Sequence, residues 1–216
     1  MTRIIFVRHA QSVGNSERRF YGHYDKGLSE LGLRQAELVG EFLKDCKIDA
    51  AYSSDLSRAF ITGENIVAHH KGLTLIPDRR LREIFAGDWE NQLFDELLVK
   101  YPREYGIVWK TDIGRAHPVN GESVMEVADR IRKRVWEIAK ENEGKTVLIA
   151  THATPIRTLA CEWKGVDYTD MKDIPWVKNA STSIIDYDTE NMTTHIVIYD
   201  ESSYLGDIAT SLPKTV

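Results

Sequence analysis

The run Ile4-Ile5-Phe6-Val7 places four large apolar residues in succession and delivers them to Arg8 and His9, and Val147-Leu148-Ile149-Ala150 repeats the arrangement ahead of Thr151 and His152. Uninterrupted apolar runs of this length fit strands covered on both faces, as in a parallel sheet held between helical layers. In open α/β sheets the functional crevice lies at the carboxyl ends of the strands. Both histidines are therefore expected at the working edge of the sheet.

The rest of the chain alternates between strand-like and helical patterning, which argues for an α/β architecture. Residues 3 to 8 read as the first strand. Ser29 then caps a helix whose apolar stripe includes Leu31, Ala36, Val39 and Leu43. Residues 49 to 53 read as a second strand, after which Ser54 or Asp55 caps a helix running to about His69. Leu73 to Ile76 reads as a short strand stopped by Pro77. Ser123 and Glu126 have capping-box spacing, and Val124, Val127, Ile131, Val135 and Ile138 continue at helical intervals until Gly144 ends the segment. Residues 181 to 187 and 194 to 199, joined by a turn at 188 to 191, read as an antiparallel pair at the sheet edge. The residues after about Ser202 carry little pattern and read as a mobile tail.

A chain of 216 residues suits a single domain spanning 1 to 216, and the scattered aromatics, prolines and glycines of 89 to 120 read as a segment capping the substrate pocket. A formal charge of −5 gives no overall basic field, so nucleic acid is not an expected partner. Cys46 and Cys161 lie far apart without CxxC spacing and read as reduced, partly buried residues rather than a disulfide or zinc framework. The chain opens on a core strand, and no apolar run reaches the length of a membrane span. The expected setting is the cytoplasm, with no membrane partner.

The chemistry is suggested by residue type. A guanidinium keeps its charge and grips phosphate with parallel donors, while a neutral imidazole has a lone pair that can attack phosphorus, so Arg8 beside His9 suggests phosphoryl transfer. Arg58 falls in the first turn of a helix, where free amides and the helix dipole also favour an anion. Glu83 stands among apolar neighbours in Leu81-Arg82-Glu83-Ile84-Phe85, an environment that favours the protonated form of a carboxyl group serving as an acid. The rival reading makes His152 a structural histidine and Arg58 a cap on a neighbouring helix. Asp88 and Glu90 are competing candidates for the acid. Arg18, Arg19 and Arg82 are candidates for substrate contacts, and the adjacent His69 and His70 read as surface or helix-end residues because neighbours on a helix point in different directions.

These segments, in this order and over essentially the whole chain, resemble the histidine phosphatase superfamily, also called the phosphoglycerate mutase-like family. The resemblance implies a three-layer α/β/α sandwich with a mostly parallel central sheet. It implies that His9 accepts the phosphoryl group of a small phosphorylated metabolite, that Glu83 is the general acid and then base, and that Arg8, Arg58 and His152 stabilise the phosphoryl oxygens without a metal or cofactor. Asn15 and the amide of Ala153 would add donors. The departures are Ala10 and Ala153 in place of the usual glycines after the two histidines, and Asn91 in place of a common glycine after Trp89-Glu90.

A phosphomonoester hydrolase is the leading reading, within which a broad-specificity enzyme and an α-ribazole phosphatase are not separated. Cofactor-dependent mutases of the family typically carry an adjacent arginine pair after the acid, whereas this chain has only Arg103 and Arg115 between Glu83 and Arg130. The other alternative is a catalytically weak phospho-ligand binder, which would be expected to lose the nucleophile or the acid.

Overall fold

A computed structural model describes residues 1–212. Among these, six strands form one sheet: β1 Thr2–Arg8, β2 Ala50–Ser53, β3 Leu75–Pro77, β4 Thr146–Thr151, β5 Thr182–Asp188 and β6 Thr193–Glu201, in the spatial order β3-β2-β4-β1-β5-β6. Strands β1 to β4 are mutually parallel, β5 runs antiparallel to β1, and β6 antiparallel to β5. The described α-helices are α1 Val13–Glu17, α2 Glu30–Leu43, α3 Ser57–Val67, α4 Phe94–Lys100, α5 Val124–Glu141 and α6 Ala153–Lys164.

The unbroken apolar runs have a direct cause. Ile4, Phe6, Val147 and Ile149 point to one face, where they meet α5 and α6, while Ile5, Val7 and Leu148 point to the other, where they meet α2 and α3. Successive strand residues face opposite sides, so a strand buried on both needs an apolar residue at every position. Each fully buried side chain of this size contributes about 1.5–3 kcal/mol by leaving water. The chain is thus an α/β sandwich with a mostly parallel sheet flanked by helices.

Local signals predict the starts of α2 and α5. Ser29 accepts the N–H of Gly32 at the start of α2, and Ser123 and Glu126 form the reciprocal capping box of α5. The expected cap of α3 is corrected. That helix begins after Leu56 with no side-chain cap from its own segment, because Ser54 is bonded to His152 and Asp55 to Arg82. Asp25, from a distant loop, instead accepts the Ser57 N–H and pairs with Arg58 at 3.2 Å. The helix ends at Val67 rather than His69. Pro77 lies inside β3, tolerated because this is an edge strand, and α5 ends at Glu141, ahead of Gly144.

The reading of a mobile tail is also corrected for residues 203–212. A short 3-10 turn at Ser203–Ile208 packs Tyr204 in a stack on Phe42 at 4.2 Å, and its hydroxyl donates to the Ala180 carbonyl. Residues 213–216 of that tail lie outside the described residues. The segment 89–120 contains α4, a wider helical turn at Glu104–Trp109 and a 3-10 turn at Ile113–Arg115. Its Trp89, Tyr105 and Trp109 pack edge-on around Phe20 at centroid distances of 5.1–6.3 Å.

Asn91 has φ of +60°, in the left-handed region, which explains a common glycine there. Asparagine tolerates this region better than residues with branched side chains. Asn91→Gly is expected to leave stability equal or slightly higher, while Asn91→Val should lower it by about 1–2 kcal/mol. Urea unfolding of both variants checks this, and equal midpoints would contradict it.

Candidate active site

The register of the two central strands assembles the site. β1 and β4 pair so that Arg8 lies opposite Thr151, and the next residue, His9, donates its N–H to the Thr151 carbonyl at 2.9 Å. His9 and His152 consequently stand side by side, ring centroids 5.1 Å apart. The chain leaves β1 toward α2 on one face and β4 toward α6 on the other, so a crevice opens where the two strands end.

His9 is buried, and its Nδ1 lies 2.7 Å from the Ala10 carbonyl. A carbonyl only accepts, so Nδ1 carries the hydrogen and Nε2 of the neutral ring keeps its lone pair. Burial first, and then the charges of Arg58 and Arg8, hold the imidazole well below its ordinary pKa, so it is neutral at pH 7. Burial lowers the Arg8 guanidinium to about 10, partly offset by Glu83, and the side chain still keeps its charge. Arg8 donates from Nη1 to the Val177 carbonyl at 2.5 Å, while its buried Nε has no protein partner. Arg58 is 1% exposed and is oriented by the carbonyls of Gly22 and Tyr24 and by Asp25. Burial opposes ionisation of Asp25, but Arg58 and the Ser57 N–H outweigh it and hold the carboxyl below its usual range.

His152 is fully buried, with Nε2 2.8 Å from the Ser54 hydroxyl. Ser54 Oγ also accepts the Leu56 N–H at 3.3 Å. Nδ1 of His152 is buried and has no protein partner. Burial, followed by Arg58 and His9, keeps His152 well below its ordinary pKa. Asn15 belongs to the capping box of α1, where its Oδ1 accepts from Ser12 N–H at 3.1 Å and from Asn179 Nδ2 at 3.1 Å. Ala153 is the first residue of α6 and has no intrahelical acceptor for its N–H. Neither Ala10 nor Ala153 has positive φ, so alanine is sterically admissible in both glycine-replacing positions.

Glu83 is 7% exposed, and its carboxyl accepts from Ile84 N–H at 2.9 Å and Thr154 N–H at 3.3 Å. Its carbonyl is held from behind by His23 Nε2 at 3.0 Å and by Arg130. The rival carboxylates have other duties. Glu90 accepts the backbone N–H groups of Gly22, His23, Tyr24 and Ala86, tying two loops together, and Asp88 is exposed and accepts from Asn120.

A pocket with about 450 Å³ of empty volume, partly open to solvent, is lined by Arg8, His9, Asn15, Arg58, Glu83 and Ala153. His152 is not among the lining residues; its ring stands beside that of His9. The remaining wall includes Phe20, Phe94, Trp109, Trp176 and Leu212, with Arg19 as a further cation. Arg18 and Arg82 are corrected: neither lines this pocket. Arg18 caps α1 with positive φ, and Arg82 forms a paired fork with Asp55, both distances 2.6 Å, beside a separate surface groove. His69 and His70 lie just past the end of α3. Sequence reasoning missed Asn179, Thr154 and Ser54, polar residues whose roles arise from contacts across 71 to 164 positions of chain.

Comparison with known proteins identifies the family and the fold. A family described as the histidine phosphatase superfamily (branch 1) matches residues 4–198. Phosphoserine phosphatase 1 of Hydrogenobacter thermophilus is 32% identical over 216 residues, covering 100% of both chains. Phosphoglycerate mutase-like protein 4 of Arabidopsis thaliana is 35% identical, with 72% of this chain and 68% of that protein covered. Among solved structures, Bacillus stearothermophilus YhfR superposes with a TM-score of 0.89 at 30% identity, covering 95% of this chain and 100% of that one. The mycobacterial glucosyl-3-phosphoglycerate phosphatase gives a TM-score of 0.83 at 28% identity, covering 93% and 99%.

Two buried histidines held neutral make stability depend on pH. Their folded pKa values lie below the unfolded value of 6.5, so the unfolded state takes up protons first as pH falls. Stability is therefore complete above about pH 6.5 and is lost below it, by up to about 1.4 kcal/mol per pH unit for each histidine. Urea midpoints between pH 7.5 and 5.5 check this, and His152→Asn should flatten the slope. An unchanged slope in that variant would contradict the assignment.

Proposed function

The chain belongs to the histidine phosphatase superfamily, and on that premise we propose that it hydrolyses phosphomonoesters through a phosphohistidine on His9. The observation that carries the reading is the fixed tautomer of His9, whose free Nε2 stands in a pocket with two buried guanidinium groups. In the first step Nε2 attacks phosphorus, the bond from phosphorus to the alcohol oxygen breaks, and Glu83 gives that oxygen its proton. In the second, Glu83 takes a proton from water as the water oxygen attacks the phosphohistidine, releasing phosphate and a neutral His9. Arg8, Arg58, Asn15 and His152 supply donors to the equatorial oxygens, and the Ala153 N–H adds the dipole of α6. The buried Arg8 Nε, which has no protein partner, supports this role.

The single domain carries its substrate selection in the segment 89–120, which brings Phe94 and Trp109 to the pocket, together with Trp176 and Leu212. This wall favours a small phosphorylated metabolite whose alcohol portion presents an apolar face. Relatives named for phosphoserine and glucosyl-3-phosphoglycerate support a small substrate. Isomerisation of a phosphorylated acid is the weaker reading, because a second anionic group needs cations of its own, and Arg19, the pocket's further cation, is already engaged by the Asn91 carbonyl and Glu17. Arg103 is exposed, Arg115 pairs with Asp112, and neither lines the pocket.

Brief incubation with a phosphate ester should leave label on His9 that is stable to alkali and released by acid, and His9→Ala should lose at least about a thousandfold in kcat/KM. A fully active His9→Ala variant would sink the mechanism. Glu83→Gln should slow hydrolysis of alkyl esters by about 10²–10⁴-fold and of aryl phosphates with good leaving groups far less. An equal loss on both would remove Glu83 as the acid. The same panel should include 3-phosphoglycerate with 2,3-bisphosphoglycerate, where isomer formation faster than phosphate release would favour the mutase.

A further inference from the structure

Behind Asn15 runs a chain of side chains whose donors and acceptors are fixed at both ends by backbone groups. Gln11 N–H donates to Gln35 Oε1 at 2.8 Å, so the opposite end of that amide, Nε2, is a donor. Gln35 Nε2 donates to the Ile208 carbonyl at 2.6 Å and to Thr210 Oγ1 at 3.0 Å. Thr210 thus has its one hydroxyl hydrogen to give, and it goes to Asn179 Oδ1 at 3.2 Å. Asn179 Nδ2 then donates its two hydrogens to the His9 carbonyl at 3.2 Å and to Asn15 Oδ1 at 3.1 Å. Ser12 N–H donates to the same Asn15 oxygen. Gln35 and Asn179 are 0% and 1% exposed, so water does not offer alternative partners.

A side-chain amide is ambiguous by itself, since rotation by half a turn exchanges its oxygen and nitrogen. Here a flipped Asn15 would set its NH₂ against two N–H donors. Both would be buried and unpaired, each costing about 1–3 kcal/mol. Asn15 therefore offers the pocket N–H donors and never its carbonyl oxygen.

We propose that Asn179 is a positioning residue that locks the Asn15 amide as an anion donor and pins the His9 carbonyl, and that Gln35 and Thr210 set its orientation. The C-terminal segment thereby belongs to the phosphate pocket, although Thr210 does not line it. Asn179 N–H also donates to the Thr210 carbonyl at 2.8 Å, which fastens the two segments together. The proposal rests on the phosphoryl-transfer reading for its consequence, but the lock itself exists in the unliganded protein.

The test combines ¹H–¹⁵N spectra of the side-chain amides with calorimetry using inorganic phosphate. Asn179→Asp keeps the shape but turns a donor into an acceptor facing two oxygens. It should move the Asn15 NH₂ signal in phosphate-free protein and weaken phosphate binding about tenfold or more, the equivalent of one lost hydrogen bond to a charged group. In an Asn15→Ala background the same change should cost clearly less, because only the His9 contact remains. Thr210→Val, which leaves Asn179 in place, should move the same signal in the same direction with a smaller loss, and it serves if Asn179→Asp does not fold. An unmoved Asn15 signal in both variants, or an undiminished loss in the Asn15→Ala background, overturns the lock. If the Asn15 signal moves as expected but the wild-type protein binds no phosphate, the lock stands and the phosphoryl-transfer reading fails.

Discussion

The parallel pairing of β1 with β4 is the constraint on which the rest of the site depends. Their register places Arg8 opposite Thr151, and a shift by one residue would send every alternate side chain to the other face of the sheet. Both faces are packed with apolar residues, so the register is held by the whole core rather than by any group in the pocket. The positions of His9 and His152 follow from it, because each is the first residue beyond its strand. The geometry of the candidate site is thus inherited from the packing of Ile4, Phe6, Val147 and Ile149, none of which lines the pocket.

Burial does the next part. Desolvation is the largest influence that keeps His9 neutral, and the charges of Arg58 and Arg8 add to it. On the proposed reading the same positive charges attract a phosphoryl dianion, so one arrangement both frees the lone pair of His9 and receives the electrophile. Arg8 Nε and His152 Nδ1 are buried there without a protein partner. Such a site is stable only inside a well-packed scaffold, and Asp25, which caps α3 and pairs with Arg58, shows one way the scaffold holds a buried cation in place.

Glu83, the proposed acid, is positioned by a different logic. Glu83 lies in a loop without regular structure, and its carbonyl is secured by His23 and Arg130 while two backbone amides hold its carboxyl. Glu90, seven residues later, carries the same functional group but spends its oxygens on four backbone N–H groups, which fastens the loop carrying Glu83 to the loop carrying Gly22 and Tyr24. One carboxylate builds the loop and the other is available for chemistry.

By itself the sequence determined the layers, the two central strands, the caps of α2 and α5 and the residues bearing the charge and the lone pair. These are written in local periodicity and residue type, which short-range physics reads without knowing the fold. Only the tertiary structure decided which of Glu83 and Glu90 was free, that α3 is capped by Asp25 rather than Ser54 or Asp55, that Arg82 is tied to Asp55, and that residues up to 212 pack back onto the core and reach Asn179. Each of these depends on a hydrogen-bond partner brought close by folding from a distant part of the chain. A polar side chain's role is set by the partner it meets, and composition and spacing carry no record of that meeting.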